Sequence, residues 1–526
     1  MYKIYYNIIM ITERKTGLLH IFSESPHEIC LIITMRLPFI KLLLRIARKN
    51  KILFISYIIA EAYNYLRFAL RRRWLGTYPS GGMSTRFNRK RYLAYFRQEL
   101  ERHPNPTKLL EGVFQSPLQK ISRQRALHFL AVYASAEECK KRMSEAQMME
   151  ARALLHVLEK RGAFRLHSDG CDEALALPPS NTRAQCPESR TPAFSRVGAF
   201  SINAWYKPLA LKGIMWLVRL YTERNLRGMG FRRKTAPHSI VYWYRPASGR
   251  SRKAPTLFFF HGIGFGVVPY ERFLRRLVES LGSGRDIIAC EWPNISHGWS
   301  DNYCADELPT SQEYADGIYI LAKKHSPDAP IDVIGHSFGS AVINYVHAHH
   351  PEILRRRVYM DPIVFFASFQ TYVGFSYEHF FDSISSLIRE AMTKPAPLRF
   401  AFREWFVKTD LSVQQLTKCS SYVWETWPCF PGQRALTSDS LFYLSGLDPV
   451  VDSPSVRSYL ETFAPEANII YSESFVHGGF LFQNDKDNTL HQLVDFLRVK
   501  GSDGASTKIR RVRSQPQLSM RSTLIF

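Results

Sequence analysis

The chain has 526 residues, 45% hydrophobic and 13% aromatic, which is ample for a large buried core and more than one ordinary domain requires. Its formal charge is +24, and 18 of those excess charges sit at the two ends: residues 1–100 hold 18 basic against 5 acidic, residues 500–526 hold 6 against 1. That distribution, with no zinc-finger spacing and no stacking aromatics beside the basic runs, excludes a nucleic-acid groove spread over the fold.

The N-terminal segment, residues 1–80, reads as basic and apolar in a form suited to a membrane surface. Lys41, Arg45, Arg48 and Lys49 recur about one turn apart, with leucine and isoleucine on the other face, as in an interfacial helix. Ile52 to Leu70 follows as a mostly apolar run of spanning length that ends in Arg71-Arg72-Arg73 and is interrupted by Glu61, Asn64 and Arg67. Either an interfacial or a spanning role fits it, and a core helix is the bland alternative. A cleaved secretory signal is not expected, because the first 30 residues contain Glu13, Arg14, Lys15, Glu24 and Glu28 and no compact apolar core.

Residues 81–165 read as helical. Residues 166–200 collect Ser, Pro, Gly, Asp and Thr without periodicity and read as a linker. Residues 201–236 form a lead-in with one helix over Leu211 to Leu226. The eight cysteines, at 30, 139, 171, 186, 290, 304, 419 and 429, form no C-x-x-C pair, so free thiols in a reducing compartment and no metal site are expected. The basic tail, residues 501–526, is expected to be disordered, and Arg511-Val512-Arg513-Ser514-Gln515-Pro516 within it is similar to a basophilic kinase site.

The chemistry lies in residues 237–500. Leu257-Phe258-Phe259-Phe260 has strand length and runs into His261-Gly262-Ile263-Gly264. A glycine-bearing loop after a strand can aim backbone N–H groups at a developing oxyanion. Gly262, Gly264 and Gly266 mimic a phosphate loop, but Val267 stands where the third fingerprint glycine belongs, so no dinucleotide cofactor is expected. Ile331 to Gly335 is a second strand. It leads through His336-Ser337-Phe338-Gly339 into Ala341-Val342-Ile343-Asn344-Tyr345-Val346, which has helical periodicity. A strand, a sharp turn and a helix hold a serine at the apex of G-x-S-x-G, where a strained backbone lifts its Oγ out of the sheet. Asp361 follows the strand-like Arg357–Met360, and Asp448 follows Ser440–Ser445. His477 comes after Asn468–Tyr471 and before Gly478-Gly479. Some 80 residues separate Met360 from Leu441, and residues 363–431 carry 16 aromatics in 69 positions.

On the pieces H-G-I-G (261–264), G-H-S-F-G (335–339), G-L-D-P-V-V (446–451) and V-H-G-G-F-L (476–481), this region resembles the α/β-hydrolase superfamily. The resemblance implies an α/β fold with a mostly parallel, doubly wound sheet, an aromatic-rich helical cap at about 363–431 and an N-terminal helical extension. It implies Ser337 as nucleophile, His477 as general base and Asp448 as the acid that orients it, with Asp361 as the alternative acid. The N–H groups of Phe338 and of Ile263 or Gly264 would form the oxyanion hole. His261 and His336 read as structural. The chemistry needs this set because a serine hydroxyl is a poor nucleophile until an imidazole takes its proton, and the imidazolium needs a fixed carboxylate.

An aromatic lid and a basic N-terminus together favour a hydrophobic, lipid-like ester substrate and a membrane surface as partners, with no nucleic acid, no cofactor and no metal. The catalytic domain is expected on the cytosolic side of that membrane. An acyltransferase or thioesterase on the same fold is one alternative, although H-x-x-x-x-D occurs only at His167/Asp172, inside the linker. A catalytically silent membrane scaffold is the other.

Overall fold

A computed structural model describes residues 50–77, 89–135 except 115, 145–166, 204–248 except 239, 254–296 except 294, 309–366, 407–415 except 408, 436–482 and 488–498. The basic interfacial helix expected before residue 50, the linker, most of the cap and the C-terminal tail lie outside the described residues.

Asn50 starts the first helix, α1 (Lys51–Thr77), by accepting the N–H of Leu53 on its Oδ1 at 3.1 Å. This helix leaves Ile52, Leu53, Ile55, Ile59, Leu66 and Leu70 exposed. No helix among the described residues is long and apolar enough to cross a membrane. The spanning reading of Ile52–Leu70 is therefore not supported, for the reason already visible in Glu61, Asn64 and Arg67: their polar ends interrupt the apolar run.

Next come α2 (Arg89–Arg102), α3 (Pro106–Phe114), α4 (Arg123–Ser135) and α5 (Glu145–Gly162). Their leucines and phenylalanines recur at helical spacing and meet in one core built on Phe96, Leu100, Leu109, Leu110, Phe129, Leu130, Leu155 and Leu158. These helices are joined to the rest of the domain. Phe366 packs into their core. Lys108 pairs with Asp452, and the Tyr459 hydroxyl donates to Glu99 at 3.2 Å.

The remaining elements, in chain order, are α6 (Leu209–Gly228), β1 (Arg232–Thr235), β2 (Val241–Arg245), β3 (Leu257–Phe260), α7 (Glu271–Leu281), β4 (Ile287–Glu291), α8 (Ser311–His325), β5 (Ile331–His336), α9 (Phe338–His349), β6 (Leu354–Met360), α10 (Leu411–Gln415), β7 (Ser440–Ser445), α11 (Ser453–Phe463), β8 (Asn468–Ser472) and α12 (Asn488–Arg498). One eight-stranded sheet runs in the order β1-β2-β4-β3-β5-β6-β7-β8. β2 is antiparallel to β1 and β4, and all other neighbours are parallel.

The central strands are apolar on both faces, as strands covered by helices on both sides must be. Phe258, Phe260, Val333, Tyr359 and Phe442 pack with Ile318, Val342 and Val456 from α8, α9 and α11. On the opposite face Leu257, Phe259, Ile334, Val358 and Leu441 pack with Leu274 and Leu277 of α7 and Leu493 and Val494 of α12. The doubly wound α/β expectation holds. The boundary at 237 does not, because β1 already belongs to the sheet. Its Arg-Arg-Lys-Thr sequence is exposed throughout and shows no alternation, as an edge strand protected by charge would.

Candidate active site

In the parallel part of the sheet the strands all point their carboxyl ends the same way, and loops there are where open α/β sheets hold ligands. The loop after β3 carries His261–Gly266, the turn after β5 carries Ser337, β6 is followed at once by Asp361, β7 leads to Asp448 and β8 to His477.

Ser337 has φ 52° and ψ −116°. A side chain in that region costs on the order of 1–3 kcal/mol, which the surrounding packing must supply. The supply is visible: a Cβ on Gly335 would lie 2.4 Å from the carbonyl oxygen of Gly339, and one on Gly339 would lie 2.2 Å from that of Phe260. Strand and helix cross so closely that only glycine fits on either side of the serine. Ser337 is the one residue between Ile331 and Val346 that is not buried. Its N–H donates to the Met360 carbonyl at 3.0 Å.

Asp448 and His477 come together. The Nδ1 of His477 lies 2.7 Å from Oδ2 of Asp448, whose side chain is fully buried. The other carboxylate oxygen accepts the N–H groups of Val450 and Val451 at 2.7 and 2.9 Å. That Asx turn fixes the carboxylate before the histidine reaches it.

Asp361 occupies a different position. It has φ 44° and no exposure. It accepts from the N–H and hydroxyl of Ser445 and from the N–H of Gly478. Burial pushes its carboxyl up to about 6, with the nearby His477 opposing that rise and Asp448 adding to it. Its Oδ2 lies 4.0 Å from Nε2 of His336. Asp361, His336 and His477 each bring a possible ligand atom within 4.8 Å of the others. Both oxygens of Asp361 are already accepting hydrogen bonds, so the cluster reads as a bonded network.

Phe338, Ile263 and Gly264 are the oxyanion candidates. Phe338 opens α9, where a helix leaves its first N–H groups without intrahelical acceptors. Ile263 has no described backbone acceptor. The Gly264 N–H donates to the Ile295 carbonyl at 2.9 Å and is thereby engaged, which leaves Ile263 as the loop candidate carried forward. His261 is structural, as expected. Its Nδ1 meets the Gly262 carbonyl at 2.6 Å and its Nε2 meets the Ser296 hydroxyl at 3.0 Å, and burial lowers its basicity.

His336 does more than pack. The Tyr270 hydroxyl accepts the Gly262 N–H at 2.9 Å and lies 2.6 Å from Nδ1 of His336. A phenolic hydroxyl both donates and accepts, so it can serve the Gly262 N–H and Nδ1 of His336 at once. The loop at Gly262 is thereby tied to the turn at Ser337. Nothing in the sequence pointed to Tyr270, which lies in a short 3₁₀ turn eight residues beyond the glycine it holds. Replacing Tyr270 by Phe leaves the Gly262 N–H buried without an acceptor. The expected result is a kcat lower by roughly tenfold with KM nearly unchanged, read by steady-state kinetics. An unchanged kcat would mean that the Gly264–Ile295 bond alone holds the loop.

Residues 257–485 match the model of the alpha/beta hydrolase family. No curated protein matches the chain. Among solved structures, an esterase from Rhodococcus sp. ECU1013 is similar at 16% identity, covering 51% of this chain and 98% of its own, with a TM-score of 0.34. An esterase of Pyrococcus furiosus aligns at 13% identity over 52% of this chain and 94% of its own, TM-score 0.33. A structure described as a membrane phospholipase A aligns at 14% identity over 53% and 90%, TM-score 0.36. Scores this low carry no argument about substrate. Residues 257–485 thus form an α/β-hydrolase domain, carried on the family match and on a sheet topology with its loops at the strand ends, and the activity this supports is that of a hydrolase.

Proposed function

We propose that the chain is a serine hydrolase that cleaves a hydrophobic, lipid-like carboxylic ester through an acyl-enzyme. The observation that carries this reading is the buried Asp448 carboxylate on Nδ1 of His477, in the loops beside a serine at positive φ. With Asp448 on Nδ1, the other imidazole nitrogen is the one left for a serine proton. In the proposed cycle Ser337 Oγ attacks the ester carbonyl as His477 takes its proton, and the N–H groups of Phe338 and Ile263 stabilise the oxyanion. Collapse expels the alcohol, which receives that proton. Water then attacks the acyl-enzyme with the same base, releasing the acid and restoring Ser337. A fluorophosphonate probe followed by a screen of ester chain lengths tests this. The expected outcome is covalent labelling and a preference for longer acyl chains, and absence of any label overturns the reading.

Peripheral attachment to an anionic membrane, with the catalytic domain on the cytosolic side, belongs to the same proposal. It is supported by the exposed isoleucines and leucines of α1 and by the excess of positive charge in residues 1–100. Each basic residue near such a surface contributes about 1 kcal/mol, an attraction that salt screens. High salt or alkaline carbonate should therefore release the full-length protein from membranes without detergent. Deleting residues 1–80 should leave a soluble enzyme that still reacts with the probe, because no proposed catalytic residue lies there. Full-length protein found wholly in the soluble fraction of cells would refute the attachment.

A further inference from the structure

Helix α6 is inside out. Ile214, Leu217 and Tyr221 are 57%, 59% and 67% exposed, and Leu220 is exposed beside them. The opposite face buries Thr222 and Leu226 and holds Arg219 against Glu291 at 2.9 Å. At 100° per residue, positions 214, 217, 220 and 221 fill one continuous arc. Arg224 and Arg227 continue that arc through the last turns, and both are exposed. A helix on the surface of a domain ordinarily turns such a stripe inward. An outward apolar arc of this size marks a docking surface.

The surroundings say what docks. Arg232, Arg233 and Lys234 of the edge strand β1 are exposed just beyond the end of α6. Arg272 and Arg275 are exposed on α7, which packs against α6, and Arg275 is close enough to Tyr221 to feel its hydroxyl. Three acidic groups near α6 are engaged, Glu223 with Arg219 and Arg227, Glu291 with Arg219, and Glu271 with Arg275, and Glu279 on α7 is also close to Arg275. Apolar side chains ringed by arginines suit an anionic bilayer, where the apolar arc enters the acyl boundary and the guanidinium groups meet phosphates.

The position of α6 links this surface to the catalytic loops. Its lead-in is fastened to residues within the 363–431 stretch: Trp205 N–H donates to the Thr409 carbonyl at 2.9 Å, and Lys207 lies 3.8 Å from Asp410. Two residues before Thr409, the side chain of Val407 lies 3.4 Å from where a Cβ on Gly264 would be. On the other side, Arg219 grips Glu291, whose carboxylate occupies the space a Cβ on Gly266 would need. The helix and its lead-in are therefore linked, through Thr409 and Asp410 on one side and through Glu291 on the other, to the loop that carries Gly264 and Gly266.

We propose that the outward face of α6, with the arginines of α7 and β1 around it, is the surface by which the hydrolase domain docks onto an anionic lipid bilayer and takes its ester from it. This rests on the hydrophobic-ester reading and adds a docking site inside the catalytic domain, distinct from the N-terminal segment. The test uses the full-length chain with vesicles of phosphatidylcholine alone or containing phosphatidylserine. Hydroxyl-radical footprinting should show Tyr221 oxidised several-fold more slowly with phosphatidylserine vesicles, and little changed with phosphatidylcholine alone. The variant carrying Leu217→Glu and Tyr221→Glu should lose on the order of tenfold in turnover of an ester presented in the anionic vesicles. Its turnover of a soluble short-chain ester and its melting temperature should match the wild type, since both positions are exposed. Equal oxidation of Tyr221 with and without vesicles overturns the proposal. So does protection that appears without lipid and grows with protein concentration, which would assign the face to a second copy of the chain. Loss of probe labelling in the wild type would instead sink the hydrolase reading, and the footprint would still report on docking.

Discussion

Ser337→Ala should abolish both fluorophosphonate labelling and ester turnover while leaving the melting temperature close to that of the wild type. The stability expectation follows from the backbone. The positive φ belongs to the turn, whose two glycine contacts hold it in place, and alanine meets the same steric cost as serine there. The hydroxyl is also the one atom of the proposed machinery that becomes covalently bonded, so nothing replaces it. His477→Ala should reduce turnover by on the order of 10³ or more, because the serine then keeps its proton at neutral pH. Combining the two changes should cost little more than Ser337→Ala alone, since both act in one step. Undiminished turnover in Ser337→Ala, measured on purified protein, would remove the serine from the mechanism.

Much of this site is legible in the sequence because its parts are local. A G-x-S-x-G between a β-branched run and a helical repeat needs no long-range information, and the structure returns β5, Ser337 and α9 in that order. The pairing of Asp448 with His477 is legible for a related reason: each follows a strand, and adjacent parallel strands β7 and β8 bring their carboxyl ends together. What stays hidden depends on contacts across the fold. The use of the Gly264 N–H by Ile295 joins residues 31 positions apart through an irregular loop, and no residue type announces it. Tyr270 is equally silent. β1 escapes because edge strands need no apolar alternation, and its Arg-Arg-Lys looks like a charged loop. The apolar stripe of α6 is readable as a helix, but its direction is not. Periodicity gives the stripe, and only the packing of Arg219 and Thr222 against the domain shows which face turns outward.

The two carboxylates near His477 should separate sharply under the same substitution. Asp448→Asn is expected to lower turnover by roughly 10⁴-fold with the fold intact, because an amide at 2.7 Å from Nδ1 no longer holds the productive tautomer or stabilises the imidazolium. The amide oxygen can still accept from Val450 and Val451, so the turn survives. Asp361→Asn should be mild by comparison. Its oxygens serve Ser445 and Gly478, and an amide oxygen can keep part of that set. The pH dependence of stability gives an independent readout. Burial raises the Asp361 carboxyl from 3.8 to about 6, so between those values the folded protein holds a proton that the unfolded chain has released. Wild-type stability therefore falls from this source as pH rises through that window and levels off above it. Asparagine has no such slope, so Asp361→Asn should gain on the wild type in chemical denaturation between about pH 4 and pH 6 and hold that gain at higher pH. A turnover loss in Asp361→Asn as large as that in Asp448→Asn would leave the orienting acid unassigned. The reverse ranking would move it to the end of β6.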